Sequence, residues 1–270
     1  MEVVGMAGSP EFSGLGTVLA ALVLGYLVLV EPWLGRSMYG ELRRRREDDP
    51  GVLVRMYGRW SAILWALAAA ALLAVAASPD LSWAQIGLRL PEGWSLEAAG
   101  LDRDPASLLG LAVGAGIGLA AVVLVGWLLR RTVPGWRHPG LAAVDAMLPR
   151  TPGERWAGAG MAVTAGVCEE IVFRGLLIAL GTALGLPLYA AAALSLAVFV
   201  LGHLYQGGRA LPGVALAGLA LTVLYLRTDS LLVPILLHVL IDLRSLAFSS
   251  PAQRPEPVRA SATIGTGNGG

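Results

Sequence analysis

Residues 156–184 read WAGAGMAVTAGVCEEIVFRGLLIALGTAL. A bilayer crossing needs about 20 apolar residues at roughly 1.5 Å of rise each, so this run is long enough. Yet Glu169, Glu170 and Arg174 sit in its interior. The rest of the chain decides between a soluble core helix and a membrane span. Of 270 residues, 56% are hydrophobic and 14% charged, against roughly 25% charged in an average soluble domain. Mean hydropathy is +0.66. Disorder is excluded for most of the chain, because it requires low hydrophobicity, and an ordinary soluble enzyme does not need so much apolar material. The net charge of +1 marks no nucleic-acid partner. The single cysteine, Cys168, excludes an intrachain disulfide and a multi-cysteine metal site.

Working outward, the other apolar runs are 14–34, 60–78, 107–129, 187–205, 210–226 and 231–248. The expected fold is all-α, a polytopic transmembrane helix bundle of about seven spans in the lipid bilayer. The last four runs are joined only by GLP, QGGR and RTDS, and such short links imply antiparallel neighbours in one bundle. Between the first two lies ELRRRREDDP, read as a polar break. Residues 79–106, with Trp83 and Trp94, suit a short segment lying in the membrane interface. Three regions follow: an N-terminal three-span region with this interfacial loop (1–147), a membrane core (148–248), and a tail rich in Pro, Ser, Thr and Gly (249–270), expected to be disordered. No basic residue precedes the first run, so it reads as a retained helix rather than a signal peptide.

All 20 basic residues are arginines. With much alanine and glycine, this composition suggests a GC-rich bacterial genome. Sixteen arginines fall on one side of the expected topology, three on the other, and Arg174 inside a span. The positive-inside rule places the sixteen in the cytoplasm, so the expectation is a multi-pass cell-membrane protein, N-terminus outside and C-terminus cytoplasmic. The run Arg43–Arg46 reads as a topology determinant that meets lipid headgroups.

Once the loops are set aside, the ionisable residues singled out are Glu169, Glu170, Arg174, His203, His238 and Asp242, on the fourth, fifth and seventh runs. Groups at membrane depth are costly and face a bundle interior or a wet cavity. Glu170 and Arg174 are four apart and can pair on one helix face, a structural ion pair. Glu169 lies about 100° around the helix and is left to face a cavity. His238 and Asp242 are again four apart, as are Phe199 and His203. Cys168 reads as packing rather than as a nucleophile, because two adjacent acids disfavour a thiolate. Phe199 reads as pocket wall, and His138 as a loop histidine.

Three stretches resemble one family. CEEIVFR (168–174) is similar to its EExxxR motif, FVLGH (199–203) to its FxxxH motif, and HVLID (238–242) to its Hxxx[N/D] motif. The family is that of CPBP intramembrane proteases, which includes type II CAAX prenyl endopeptidases and Abi-like proteins. The resemblance covers about 148–248. It implies an intramembrane endopeptidase acting on a membrane-anchored protein or peptide: Glu169 as general base, His203 helping to hold and activate water, His238 and Asp242 facing the oxyanion. No cofactor is expected. The alternative is Zn²⁺ held by Glu169, His203 and His238, since three protein ligands plus water is the catalytic zinc pattern, although HExxH is absent. Rival functions are a transporter or proton relay, which also places acids and histidines in spans, and a non-catalytic membrane scaffold or immunity protein. Prenylated tails, bacteriocin-like precursors and C-terminal sorting helices are the substrates of relatives.

Overall fold

The computed structural model describes residues 10–91 and 145–249, whose regular elements are all helices, with no strand among them. Helix α1 (Gly14–Leu29) starts at Ser13, whose hydroxyl accepts from the Gly16 amide at 3.0 Å. The same hydroxyl donates to the Ala77 carbonyl at 2.6 Å, and the Ser13 amide donates to Ser78 Oγ at 3.1 Å. These bonds tie the start of α1 to the end of α3 (Val52–Ala76), so the two helices run antiparallel.

Between them the polar break is not a loop. Helix α2 (Glu31–Arg45) continues from α1 with a bend of 48° and carries the arginine run almost to its end. The bend falls at Val30, and Pro32 sits in the first turn of α2, where its missing N–H costs no helical bond. The charged sequence ELRRR keeps its helical propensity, which the reading of this stretch as a break undervalued. Arg46, at the end of α2, is buried rather than turned to headgroups. Its guanidinium meets both oxygens of Glu154, at 2.7 and 2.9 Å, and donates to the carbonyls of Ala146 and Leu148.

Glu154 belongs to α4 (Pro152–Glu169), capped by the Thr151 hydroxyl. The chain then winds as a π-helix over Glu170–Leu177 and returns to α-helix in α5 (Ile178–Ala183). Helix α6 (Leu188–Gly202) ends in a tight turn at His203–Gln206. Helix α7 (Leu211–Thr228) closes on Asp229, left-handed at φ 47°. Arg89 holds that turn through the Asp229 carbonyl and carboxylate, and Leu231 N–H donates to the Gly87 carbonyl at 2.8 Å. The described part of the expected interfacial segment is thereby docked on the turn that follows α7. Helix α8 (Leu232–Asp242) passes into a second π-helical turn at Leu243–Ala247.

Helix α8 lies so close to α4 that a Cβ on Gly166 would stand 2.5 Å from Val239 Cγ2 and 2.9 Å from its amide. A hydrogen at that position lets the two backbones approach, as small residues do between membrane helices.

The outward faces are apolar: Leu22, Leu73, Leu194, Leu216 and Leu240 are exposed, as the lipid-facing surface of a multi-pass membrane protein requires. Among the described residues, Val52–Ala76, Leu188–Gln206 and Leu211–Thr228 are long and apolar enough to cross a membrane, and the bent pair α1–α2 makes up to four spans. By this measure the described helices do not reach the expected seven. Helix α4 carries Glu154, Arg155 and Glu169, and α8 has only 11 residues. The run 107–129, Trp94, His138 and residues 250–270 of the tail lie outside the described residues.

Candidate active site

The two π-helical turns begin immediately after Glu169 and immediately after Asp242. π-Bulges widen the helix locally and recur at functional sites. Here they lie next to the two acids of the expected catalytic set.

Glu170 and Arg174 are almost fully buried, and Arg174 Nη1 donates to Glu170 Oε1 at 2.8 Å. The guanidinium is secured twice more. Nη2 donates to the Gly218 carbonyl at 2.9 Å, and the Phe199 ring lies under Cζ at 4.7 Å. Phe199 thus serves as wall and as cation–π platform. Glu170 has a second partner that its spacing did not reveal. His238 Nδ1 lies 2.7 Å from Glu170 Oε1. A carboxylate at that distance accepts a hydrogen bond from Nδ1–H, which leaves Nε2 facing the cavity. Glu170 therefore neutralises Arg174 and also orients His238.

His238 Nε2 is 3.9 Å from Glu169 Oε2 and 3.8 Å from Asp242 Oδ2. Both separations are too long for a hydrogen bond and suit one intervening oxygen atom bonded to each side. Glu169 Oε2 has no hydrogen-bond partner among the described residues. His203 is oriented by its own helix: Nδ1 lies 2.8 Å from the Phe199 carbonyl. Because a carbonyl only accepts, Nδ1 carries the proton and Nε2 is the free nitrogen. The imidazole packs on Phe199 at 4.4 Å between centroids, with Tyr205 on another side at 6.0 Å.

Glu169, His203, His238 and Asp242 all line one cavity of about 470 Å³, whose remaining walls are mostly apolar. The four come from three helices and meet despite their unequal depths along their own runs. Glu170 and Arg174 lie behind the cavity wall. Cys168 is fully buried and does not line this cavity.

Two contributors escaped the sequence reading. Tyr205 shields His203 and packs against Tyr39 and Trp60 at 5.8 and 4.8 Å between centroids. Glu31 is buried at the α1–α2 bend and also lines the cavity. The available signal was an acid inside the first apolar run, one residue before a proline. Among the described residues no group of three His, Cys, Asp or Glu side chains converges as a metal site.

Fold and site define a multi-pass helical membrane protein with ionisable groups gathered inside an apolar-walled cavity. Residues 151–244 match the family described as Type II CAAX prenyl endopeptidase Rce1-like, a family of membrane proteases. The resemblance carried by the three motifs is thereby shown over that segment. No curated protein and no solved structure matches the chain.

Proposed function

We propose that the chain is an intramembrane endopeptidase that hydrolyses a peptide bond of a membrane-anchored protein or peptide with water activated by Glu169. The observation that carries this reading is the convergence of Glu169, His203, His238 and Asp242 on one cavity, with His238 Nε2 at 3.8–3.9 Å from two carboxylates. Glu169 takes the proton of a water held between it and the imidazoles, as a general base within hydrogen-bond reach. The hydroxide adds to the scissile carbonyl. His238, whose Nδ1–H is donated to Glu170, acts as an imidazolium and donates its Nε2–H to the developing oxyanion, where preset donors contribute most. Asp242 serves the oxyanion only while it carries a proton, because an ionised carboxylate has none to donate. Glu169 then returns that proton to the amine nitrogen as the tetrahedral intermediate collapses and the C–N bond breaks, leaving a free carboxylate and amine.

Glu169→Gln keeps shape and removes the base. The expected result is loss of cleavage by about 10²- to 10⁴-fold at unchanged folded yield, read as release of a new C-terminus from membrane substrates. Full turnover in that variant would refute the assignment. Chelation should leave the rate unchanged; a loss restored by Zn²⁺ would install the ion instead.

The sixteen-to-three arginine division supports a cytoplasmic C-terminus and an external N-terminus. A reporter fused after Ser250 should read as cytoplasmic. An external signal there would reverse the topology.

A further inference from the structure

Glu31 lies outside the matched segment 151–244 and outside all three motifs. It is 8% exposed and lines the same cavity as Glu169, His203, His238 and Asp242. Its place follows from the backbone: the 48° bend between α1 and α2 turns the first residue of α2 inward. Its Cγ stands 3.8 Å from where a Cβ on Gly202 would lie, beside the residue that precedes His203.

Among the described residues no arginine lines this cavity, and the sequence has no lysine. Each of the other two buried acids, Glu170 and Glu154, meets an arginine at under 3 Å. Among the described residues no ion pair is formed by Glu31. The polar neighbours of the Glu31 carboxyl, Tyr26 and Trp60, are both neutral; a buried carboxylate without a cation is costly, and a cation delivered from outside offsets that cost. Along α2 the next charged residues are Arg36, Glu41 and the run from Arg43, and Trp33, between Glu31 and Arg36, is exposed, so Glu31 sits near the interfacial end of the cavity.

We infer that Glu31 forms a specificity subsite for a basic side chain of the substrate, a lysine or arginine close in sequence to the scissile bond. The term substrate rests on the endopeptidase reading above; the subsite itself is a matter of binding. An apolar cavity with one carboxylate at its interfacial end accepts an aliphatic stem and holds the charged head, as a snorkelling Lys or Arg requires. The substrate class is then the juxtamembrane segment of a membrane protein, where an apolar span gives way to basic residues.

The test measures binding in the full chain in nanodiscs, in a Glu169→Gln background that cannot turn over. Three membrane-soluble peptides differ at one position within an otherwise apolar sequence: lysine, norleucine or glutamate. With Glu31 intact, the lysine peptide should bind about tenfold tighter than the norleucine peptide, and the glutamate peptide weakest. In Glu31→Gln the lysine preference should vanish while norleucine binding holds. Equal affinities with Glu31 intact, binding by none of the three, or an undiminished lysine preference in Glu31→Gln would each overturn the inference. The comparison at intact Glu31 needs no variant at that position, so a folding defect in Glu31→Gln does not block it. Cleavage of either uncharged or charged peptide by the wild-type chain upholds the endopeptidase reading whatever the ratio.

Discussion

Among the described residues, two buried arginine–glutamate pairs hold the helices, and they differ in kind. Arg174 and Glu170 are one helical turn apart, deep in the bundle. Arg46 and Glu154 are 108 residues apart and join the end of α2 to the first turn of α4. The outer acid is well provided for. Besides the bidentate arginine, it accepts from the Arg150 amide at 2.6 Å and sits in the first turn of a helix, where a negative charge is favoured. The inner acid has Arg174 and His238, and its Oε2 has no hydrogen-bond partner among the described residues. The outer pair is a clamp between elements. The inner pair is a clamp that also fixes the ring of a site residue.

Removing one partner of a buried pair costs roughly 3–5 kcal/mol, because the other charge is stranded. Arg174→Ala should lie at the top of that range and Arg46→Ala at the bottom, where Glu154 keeps its amide donor. Folded yield and thermal midpoint in detergent would read the difference. The sharper contrast lies in turnover per folded molecule. Glu170→Gln should lower it, since the anionic acceptor that fixes His238 Nδ1 is replaced by a weaker amide oxygen, whereas Arg46→Ala should leave it unchanged. Equal loss of turnover in both would dissolve the distinction.

Asp242 tests the chemistry on a smaller scale. Asp242→Asn retains a donor at the same place and should stay within about tenfold of the wild-type rate, about 1.4 kcal/mol, while Asp242→Ala should lose most activity. A folded but inactive Asp242→Asn would mean that the anion is needed, to orient His238 from 3.8 Å through a bridging atom.

The smallest effect belongs to the surface. Glu41 pairs with Arg45 at 3.2 Å and with Arg59 at 3.5 Å, and both arginines are largely exposed. Glu41→Gln should shift stability by no more than about 0.5 kcal/mol. A loss comparable to Arg46→Ala would show that a solvated pair can do what a buried one does.

Much of this arrangement is legible in sequence because helices translate spacing into direction. The boundaries of the last four runs agree with the structure to within a few residues, since Gly, Pro and Asp punctuate them. The Glu170–Arg174 face and the placement of Phe199 against His203 both follow from a separation of four. The helical continuation of α2 was hidden by its charge. The π-helical turns after Glu169 and Asp242 were hidden because no residue type announces them.

What the sequence determined by itself is thus the apolar runs, the class of protein, and the local i, i+4 partnerships, all set by backbone geometry within one helix. Tertiary structure alone decided the rest. Glu170 meets His238 across 68 residues, Arg46 reaches Glu154 across 108, and Glu31 is turned into the cavity by a bend in a helix outside the motifs. Those contacts depend on how closely whole helices approach and how they are rotated. That is settled by packing summed over many side chains, such as the missing Cβ at Gly166, and no short stretch of sequence records the sum.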